Sequence, residues 1–412
     1  MTDTSARTTS AGGETDATPD AIDARLLAPA RTAEPDLADF VTIVERTTDR
    51  ADYPFASDVS HNVVVYDADH LRTTLQGADP LEQTRAVLDE LERVFRTGPG
   101  IAVFRGAFTT DQTGRISEVF REIITEERET ITGKGDHFAK PGANDRVWNA
   151  LEKLALRDPD GFVDYYSNDM LALASAAWLG PDYQVTSQVN VVNPGGEAQQ
   201  PHRDYHLGFM TSEQAARFPR TAQELSPMLT LQGAVAHCDM PVETGPTLYL
   251  PYSHRYPLGY LAWRRPEFID YFDHHRQQLP LTDGDAIFFN PAVFHAAGSN
   301  VTATVRRMAN LLQISSAMGR ALEYVNRRAM CVALYPAIRR AITSGMGPAD
   351  IERVIAASAE GYPFPTDLDR DQPVGGLVPP SQADLVRQAV REDWDAPHLS
   401  TALADHAAVR GA

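Results

Sequence analysis

Cysteine, lysine and positive charge are all scarce in this chain. Its 412 residues include only two cysteines, too few for a disulfide framework, so a reducing cytoplasm is the expected compartment. Lysine occurs at three positions, and arginine carries nearly all of the positive charge. The net charge of −19 opposes the phosphate backbone of nucleic acids, and no basic stripe offsets it, so no nucleic-acid partner is expected.

Long apolar runs and targeting signals are missing as well. No apolar stretch approaches the ~20 residues that cross a membrane, so no membrane partner is expected. The first residues lack the basic and apolar regions of a secretory signal, so none is expected. The chain has no internal repeat and no glycine-rich phosphate loop. Residues 1–36, rich in Thr, Ala, Asp and Gly, are predicted to form a disordered tail.

Stretches with helical periodicity lie on both sides of a central region that lacks this periodicity. The periodicity predicts helices over residues 81–95, after Thr110, near 147–157 and 162–178, over 320–344 with a kink at Pro336, and over 381–394. A Pro/Gly-rich stretch at 361–380 is interpreted as a linker or surface loop. Residues 320–412 are therefore expected to form a helical extension packed on the core.

Short apolar strands separated by turn residues fill the centre of the chain. They are predicted at residues 101–108, 183–192, 228–240, 247–251, 285–290 and 306–315. Several short strands at fairly regular spacing, with few helices between them, favour a sandwich or jelly roll over a parallel sheet. The expected fold class is mainly β with packed helices, as in a cupin-like jelly roll.

The segment QQPHRDYHLGF, residues 199–209, carries the main chemical signal. Residues i and i+2 of a β-strand project from the same face, so His202 and Asp204 can reach one metal ion together. A second histidine would complete the 2-His-1-carboxylate set that suits non-haem Fe(II) and leaves positions open for a co-substrate and O2. His295, which closes the apolar strand DAIFFNPAVFH, is the candidate for that place.

An arginine pair, Arg306 and Arg307, opens the next predicted strand. A guanidinium can bind the far carboxylate of a dicarboxylate through two parallel hydrogen bonds. Neighbouring strand residues face opposite ways, so only one of the two arginines can point inward, and the sequence does not say which.

Other histidines offer competing interpretations. His237 and Asp239 repeat the His-x-Asp spacing, but they follow an apolar strand with no preceding loop, so His237 is interpreted as a residue behind the metal ligands. His202 and His206 are spaced as in zinc-binding helices, yet Arg203 stands where that motif has glutamate, which leaves a zinc hydrolase as a minor alternative.

Three blocks of sequence together resemble the phytanoyl-CoA dioxygenase family of Fe(II)/2-oxoglutarate oxygenases. They are PHRD (201–204), ETGPTLYLPYSHR (243–255), and DGDAIFFNPAVFHAAGSN (283–300) followed by Arg306. The resemblance runs from about Ile101 to Ser315 and depends on the order and spacing of the blocks. It implies a double-stranded β-helix with helices packed on one side, here expected over residues 37–319.

The resemblance also implies the site and its chemistry. His202, Asp204 and His295 would hold iron, and Arg306 would bind the C5 carboxylate of 2-oxoglutarate. The implied cofactors are Fe(II), 2-oxoglutarate as co-substrate, and O2. The implied reaction oxidises 2-oxoglutarate to succinate and CO2 while a C–H bond of the substrate is hydroxylated. Because Asp204 is present, no position is vacant for a halide, and hydroxylation is favoured over halogenation.

Two departures from the family pattern concern the co-substrate. Many members carry a hydroxyl residue two positions after the distal histidine, where this chain has Ala297, and many carry a lysine where it has Asn193. Gln188, Asn190 and Thr247 are the candidates to supply the missing hydrogen bonds. His254, in the Pro-x-Ser-His step, is interpreted as structural, and His274 and His275 as solvated.

The sequence therefore supports a first hypothesis and an alternative. The first is a cytoplasmic Fe(II)/2-oxoglutarate-dependent dioxygenase that hydroxylates a small or lipid-like organic molecule. The alternative is a catalytically inactive metal-binding jelly roll that acts as a sensor or binding module, which the departures at Ala297 and Asn193 motivate. Residues 205–227 are the expected lid, and the substrate and oligomeric state cannot be predicted.

Overall fold

The computed structural model of the chain describes residues 34–130 and 143–411. The predicted disordered tail, residues 1–36, lies almost wholly outside the described residues. No helix in the described part of the chain is both long and apolar enough to cross a membrane.

Strands of two to nine residues are numbered here in chain order. They are β1 (Asp58–Ser60), β2 (Val63–Asp67), β3 (Ile101–Arg105), β4 (Asn144–Val147), β5 (Gln184–Val192), β6 (Thr230–Ala236), β7 (Leu248–Leu250), β8 (Gln277–Gln278), β9 (Ala286–Phe289), β10 (Phe294–Ala296) and β11 (Arg307–Ser315).

The α-helices are numbered in the same way. They are α1 (Leu37–Val44), α2 (Ala68–Leu75), α3 (Pro80–Arg96), α4 (Thr110–Thr130), α5 (Ala150–Arg157), α6 (Pro159–Tyr166), α7 (Asp169–Leu179), α8 (Ser212–Ala215), α9 (Arg220–Leu225), α10 (Gly259–Ala262), α11 (Pro266–His275), α12 (Arg327–Thr343), α13 (Pro348–Ser358), α14 (Gln382–Arg391) and α15 (Ala396–Val409).

Many helices begin at caps that the sequence shows. Asp79 accepts a hydrogen bond from the amide of Glu82 at the start of α3, where Pro80 takes the first helical position. Asn168 caps α7 in the same way, and Ser381 forms a capping box at the start of α14. These caps fix where the helices begin, and thereby where the connecting loops lie.

The described strands form two sheets. Eight of them make one mixed sheet in the order β1-β2-β3-β9-β6-β11-β5-β4, and three make a second sheet in the order β10-β7-β8. The pair of β2 with β3 is parallel, whereas β11 runs antiparallel to both β5 and β6. The long pairings of β5, β11 and β6 form the central part of the large sheet.

The large sheet has one face covered by helices and one inner face. Successive side chains of β11 point to these two faces in turn. Met308, Leu312 and Ile314 pack into the main hydrophobic core with the helices, including α12 and α14. Arg307, Ala309 and Leu311 line a cavity on the other face. The inner face therefore meets the small sheet, and a second core containing Val103, Tyr249, Leu281, Ile287 and Phe289 fills the space beside this cavity.

The predicted fold class is partly wrong. Helices hold 47% of the described residues, so this part of the chain is not mainly β. The excess comes from helices that the sequence analysis did not predict, among them α13 and α15. The large mixed sheet with many helices agrees with the expectation of sheets covered by helices. A closed jelly roll is not confirmed, and the division of the chain at residue 320 stays a prediction.

His237 belongs to the helix-covered face and is bonded on both sides of its ring. Its Nδ1 lies 2.9 Å from the hydroxyl of Ser117, and its Nε2 lies 2.9 Å from the hydroxyl of Tyr165. Burial, with a contribution from the charge of Arg121, lowers the pKa of His237 to about 3. The ring is therefore neutral in the folded protein under ordinary conditions.

We expect His237 to make the protein less stable in acid. The unfolded chain protonates this histidine near its ordinary pKa of 6.5, whereas the folded chain does not, so stability is lost as the pH falls below that value. From about pH 7.5 to about pH 5.5, the free energy of unfolding should fall by about 1.4 kcal/mol more in the wild type than in His237→Gln. Urea denaturation at the two pH values measures this.

The exposed residue His274 provides the control. The substitution His274→Gln changes a side chain on the surface of α11 and should retain the additional loss of stability that His237 causes. An equal loss of stability in wild type and His237→Gln would contradict the assignment.

Candidate metal centre

A two-residue antiparallel bridge places His202 beside His295. The amide of His202 donates to the carbonyl of His295 at 2.9 Å, and the amide of His295 donates to the carbonyl of His202 at 3.1 Å. Directly opposed residues of an antiparallel pair project from the same face. The centroids of the two imidazole rings are consequently 4.4 Å apart.

Asp204 follows two residues later and reaches the same space. Its Oδ1 lies 3.7 Å from Nε2 of His202, and its Oδ2 lies 3.6 Å from Nε2 of His295. Within residues 34–130 and 143–411, this is the one group of three or more His, Cys, Asp or Glu side chains whose ligand atoms all lie within 4.8 Å of one another. The structure therefore brings together the three residues that the sequence singles out, in a group that one metal ion fits.

Backbone carbonyls orient both imidazoles. Nδ1 of His202 lies 3.0 Å from the carbonyl oxygen of Gln200, and Nδ1 of His295 lies 2.9 Å from that of Val293. A carbonyl only accepts, so the proton of each neutral ring sits on Nδ1 and the lone pair on Nε2. Both lone pairs are thus available to a metal ion on the side of Asp204.

Electrostatics keeps these groups in the forms that bind metals. Burial, together with the neighbouring His295, lowers the pKa of His202 and favours its neutral form. Burial acts to raise the pKa of Asp204, but His202, His295 and a hydrogen bond from Gln232 outweigh it and hold that pKa well below its usual range. The site therefore presents an ionised carboxylate and a neutral imidazole, the protonation states that metal binding needs.

Arg203 points away from the group and anchors it. It is buried, its guanidinium donates to the carbonyls of Ser253 and Tyr256, and it lies over the rings of Tyr260 and Phe294. Alternation along an extended chain explains why the side chain between two ligand candidates faces the other way. The Pro-x-Ser-His block thus contacts the metal-site segment through this arginine.

Gln232 on β6 touches the carboxylate directly, and the sequence analysis did not find it. Its Nε2 donates to Oδ2 of Asp204 at 2.6 Å. The available signal was a single buried glutamine in the otherwise apolar run LTLQGAVA. Its partner could not be inferred, because Asp204 belongs to a distant segment whose approach depends on the tertiary fold.

A buried arginine lines a cavity that also contains Tyr249, the residue paired with His295 in the small sheet. Arg307 lines it together with Asn190, Thr247 and Tyr249. Burial lowers the pKa of Arg307 to about 10, so the guanidinium still carries its charge near neutral pH. It donates to the carbonyl of Thr244, and no carboxylate among residues 34–130 and 143–411 pairs with it. The Oδ1 atom of Asn190 is also buried, with no hydrogen-bond partner among the described residues. An unpaired buried cation fits an anionic co-substrate.

The sequence model of the phytanoyl-CoA dioxygenase (PhyH) family matches residues 97–308, about half of the chain. This protein belongs to the phytanoyl-CoA dioxygenase family. The matched range contains the three residues of the metal group and Arg307. No curated protein matches the chain. Enzymes of this family use Fe(II), 2-oxoglutarate and O2, and these are the cofactors of this chain.

Three solved structures have some similarity to this chain. The α-ketoglutarate-dependent epimerase SnoN from nogalamycin biosynthesis is 18% identical, with a TM-score of 0.40, over 57% of this chain and 82% of its own. AviO1 from Streptomyces viridochromogenes Tue57 is 18% identical, with a TM-score of 0.41, over 56% and 95%. The carbocyclase SnoK is 20% identical, with a TM-score of 0.37, over 55% and 83%. At these values the likeness assigns no reaction to this chain.

The co-substrate arginine expected from the family spacing, Arg306, lies outside the cavity. Its guanidinium is about half exposed, donates to Asp145 at 3.0 Å and donates to the side chain of Asn193 at 3.0 Å. Arg307, the next residue, is the one that faces the cavity. Adjacent strand residues point to opposite faces, so a difference of one residue decides which arginine is inside. Arg307 is therefore the better placed of the two arginines to bind the C5 carboxylate of 2-oxoglutarate.

The other expected co-substrate residues divide into two groups. Asn190 and Thr247 line the cavity that contains Arg307. Gln188 is buried two residues from Asn190, but its side chain accepts a hydrogen bond from Arg146 at 2.8 Å. Asn193, which stands where many members have lysine, contacts Arg306 on the outside.

The competing histidines lie elsewhere. His206 is not part of the metal group, and its Nδ1 lies 3.2 Å from the hydroxyl of Ser226. His237 is bonded to Ser117 and Tyr165 on the helix-covered face, so it does not touch Asp204. Nε2 of His254 lies 3.3 Å from the carbonyl of Arg96. The zinc-helix spacing and the second His-x-Asp pair therefore do not produce a metal group here.

We expect His202→Ala to weaken Co(II) binding strongly, since the substitution removes one ligand atom of the group. The loss of affinity should exceed the roughly 10- to 100-fold that loss of an outer hydrogen-bond partner costs. The matched substitution His206→Ala should leave the affinity unchanged. Isothermal titration of the metal-free proteins with Co(II) measures both, and an equally large loss of affinity in His206→Ala would support the zinc-helix spacing instead.

Proposed function

We propose that this protein is an Fe(II)/2-oxoglutarate-dependent dioxygenase that hydroxylates a small or lipid-like organic molecule. His202, Asp204 and His295 would hold the iron. The single observation that carries the proposal is the convergence of two Nε2 atoms and one carboxylate within 4.8 Å, on residues up to 93 positions apart in the chain (295 − 202 = 93). When bound, the iron together with 2-oxoglutarate and O2 supplies the oxidising power for attack on a C–H bond.

Arg307 is proposed to bind the far carboxylate of 2-oxoglutarate. Its charge is buried in the cavity, and no carboxylate in the described part of the chain pairs with it, which is costly unless an anion arrives to do so. Asn190 and Thr247 would add hydrogen bonds from the walls of the same cavity. The apolar side chains of Leu281 and Ile287 would exclude water around the methylene groups of the co-substrate.

The presence of Asp204 supports hydroxylation over halogenation. A carboxylate at this place occupies the coordination position that a halide would need. Its low pKa keeps it ionised, so it remains a ligand throughout the pH range in which the protein would work.

Residues 205–227 are proposed to form part of the substrate-binding surface. This segment contains the short helices α8 and α9 and begins directly after Asp204. It exposes Phe209, Phe218 and Leu225, and the ring of Phe209 lies 5.8 Å from that of Tyr205. Exposed apolar side chains next to a candidate catalytic centre support an organic substrate with apolar surface.

The decisive experiment measures succinate formed from 2-oxoglutarate by the Fe(II)-loaded protein, with a mass-spectrometric screen for an oxygenated product. The proposal expects succinate in the wild type and none in Asp204→Ala. Binding of metal without any binding of 2-oxoglutarate would instead support the inactive metal-binding module, which the departures at Ala297 and Asn193 favour.

A comparison of Arg307→Gln with Arg306→Gln tests the co-substrate assignment. Loss of a charge-assisted hydrogen bond should cost about 1.5–3 kcal/mol, which corresponds to a roughly 10- to 100-fold higher Kd for 2-oxoglutarate in Arg307→Gln. Arg306→Gln should change the Kd by less than about 2-fold, since this side chain lies outside the cavity. Calorimetry on the Co(II)-loaded proteins distinguishes the two, and a larger effect of Arg306→Gln would contradict the assignment.

A further inference from the structure

Gln232 makes a hydrogen bond whose direction is fixed by chemistry. The carboxylate of Asp204 only accepts hydrogen bonds, so the amide must turn its Nε2 toward Oδ2, at 2.6 Å. The opposite end of the same amide, Oε1, is buried and has no hydrogen-bond partner among the described residues. An unpaired buried polar atom costs about 1–3 kcal/mol, so an apolar residue would serve packing better at this place. The glutamine is therefore explained by the bond it makes to Asp204.

The two oxygens of Asp204 are consequently not equivalent. Each oxygen lies near one imidazole, Oδ1 at 3.7 Å from Nε2 of His202 and Oδ2 at 3.6 Å from Nε2 of His295, but only Oδ2 also receives the amide of Gln232. A hydrogen bond to one carboxylate oxygen occupies one of its lone pairs and fixes the rotation of the group. Oδ1 is the oxygen that no amide side chain in the described part of the chain occupies, so both of its lone pairs remain free for an ion.

We propose that Gln232 is a positioning residue that makes Asp204 bind the metal ion through one oxygen only. This inference rests on the proposed function. An octahedral ion held by three protein atoms keeps three positions open, of which a chelating 2-oxoglutarate needs two and O2 needs one. Coordination through both oxygens of Asp204 would take one of these positions, so the amide of Gln232 preserves the coordination number that the reaction requires.

Neighbouring polar groups do not take over this role in the described part of the chain. Gln313 lies opposite Gln232 on β11, but its Oε1 accepts a hydrogen bond from the hydroxyl of Tyr205. The hydroxyl of Tyr260 donates to the backbone carbonyl of Asp204, not to its carboxylate. Gln232 is thus the amide side chain that acts on the carboxylate itself.

The test compares Gln232→Leu with Gln313→Leu in the full-length protein, with Co(II) as the probe. Gln232→Leu keeps the side-chain volume and removes the donor, and we expect it to weaken Co(II) binding roughly 10- to 100-fold. Its Co(II) absorption spectrum should also change, because the second oxygen becomes free to coordinate, and its affinity for 2-oxoglutarate should fall. Gln313→Leu should match the wild type in all three measurements.

Thermal melting of the metal-free variants shows whether they fold. If Gln232→Leu does not fold, Gln232→Met, which also lacks the amide donor and keeps a similar length, replaces it and should show the same losses. Unchanged Co(II) affinity and spectrum in a folded Gln232 variant would overturn the positioning role while leaving the proposed function intact. Failure of the wild type to bind Co(II) or 2-oxoglutarate would instead overturn the proposed function, and this inference with it.

Discussion

The candidate site depends on a pair of backbone hydrogen bonds between His202 and His295. His202 lies in the segment after β5 of the large sheet, and His295 lies in β10 of the small sheet. The two bonds therefore connect the two sheets at the metal group. These bonds alone place the two imidazoles side by side, since opposed residues of an antiparallel pair share a face. Asp204 joins the same face by alternation. Breaking the bridge would therefore separate the imidazoles even if every side chain remained present.

The surrounding fold holds this bridge in place from several sides. The guanidinium of Arg203 bonds the backbone of the segment that follows β7. The inner face of the large sheet supplies Gln232 to the carboxylate and Arg307 to the cavity. The helices bury the opposite face of that sheet, which gives the inner face a rigid support. The charges of the site are thus placed by a packed scaffold, with their orientation fixed before any metal or co-substrate binds.

The residues of the metal group were predictable from the sequence, whereas the arginine and the glutamine were not. His202 and Asp204 carry a local signal, since alternation alone puts them on one face. His295 required the family's spacing. The choice between Arg306 and Arg307 depends on the register of β11, where a shift of one residue exchanges the two faces. Gln232 meets Asp204 only through tertiary contact.

The predicted apolar strand 285–295 divides into β9 and β10 in the structure. The two strands belong to different sheets because a turn at residues 290–293 separates them.

If one ion binds between His202, Asp204 and His295, anomalous X-ray diffraction at the iron edge will locate it. Crystals of the protein would be grown with Fe(II) and 2-oxoglutarate without oxygen. We expect one anomalous peak in contact with Nε2 of both histidines and a single oxygen of Asp204. A peak elsewhere, or the side chain of His295 turned away from a bound iron, would contradict this expectation.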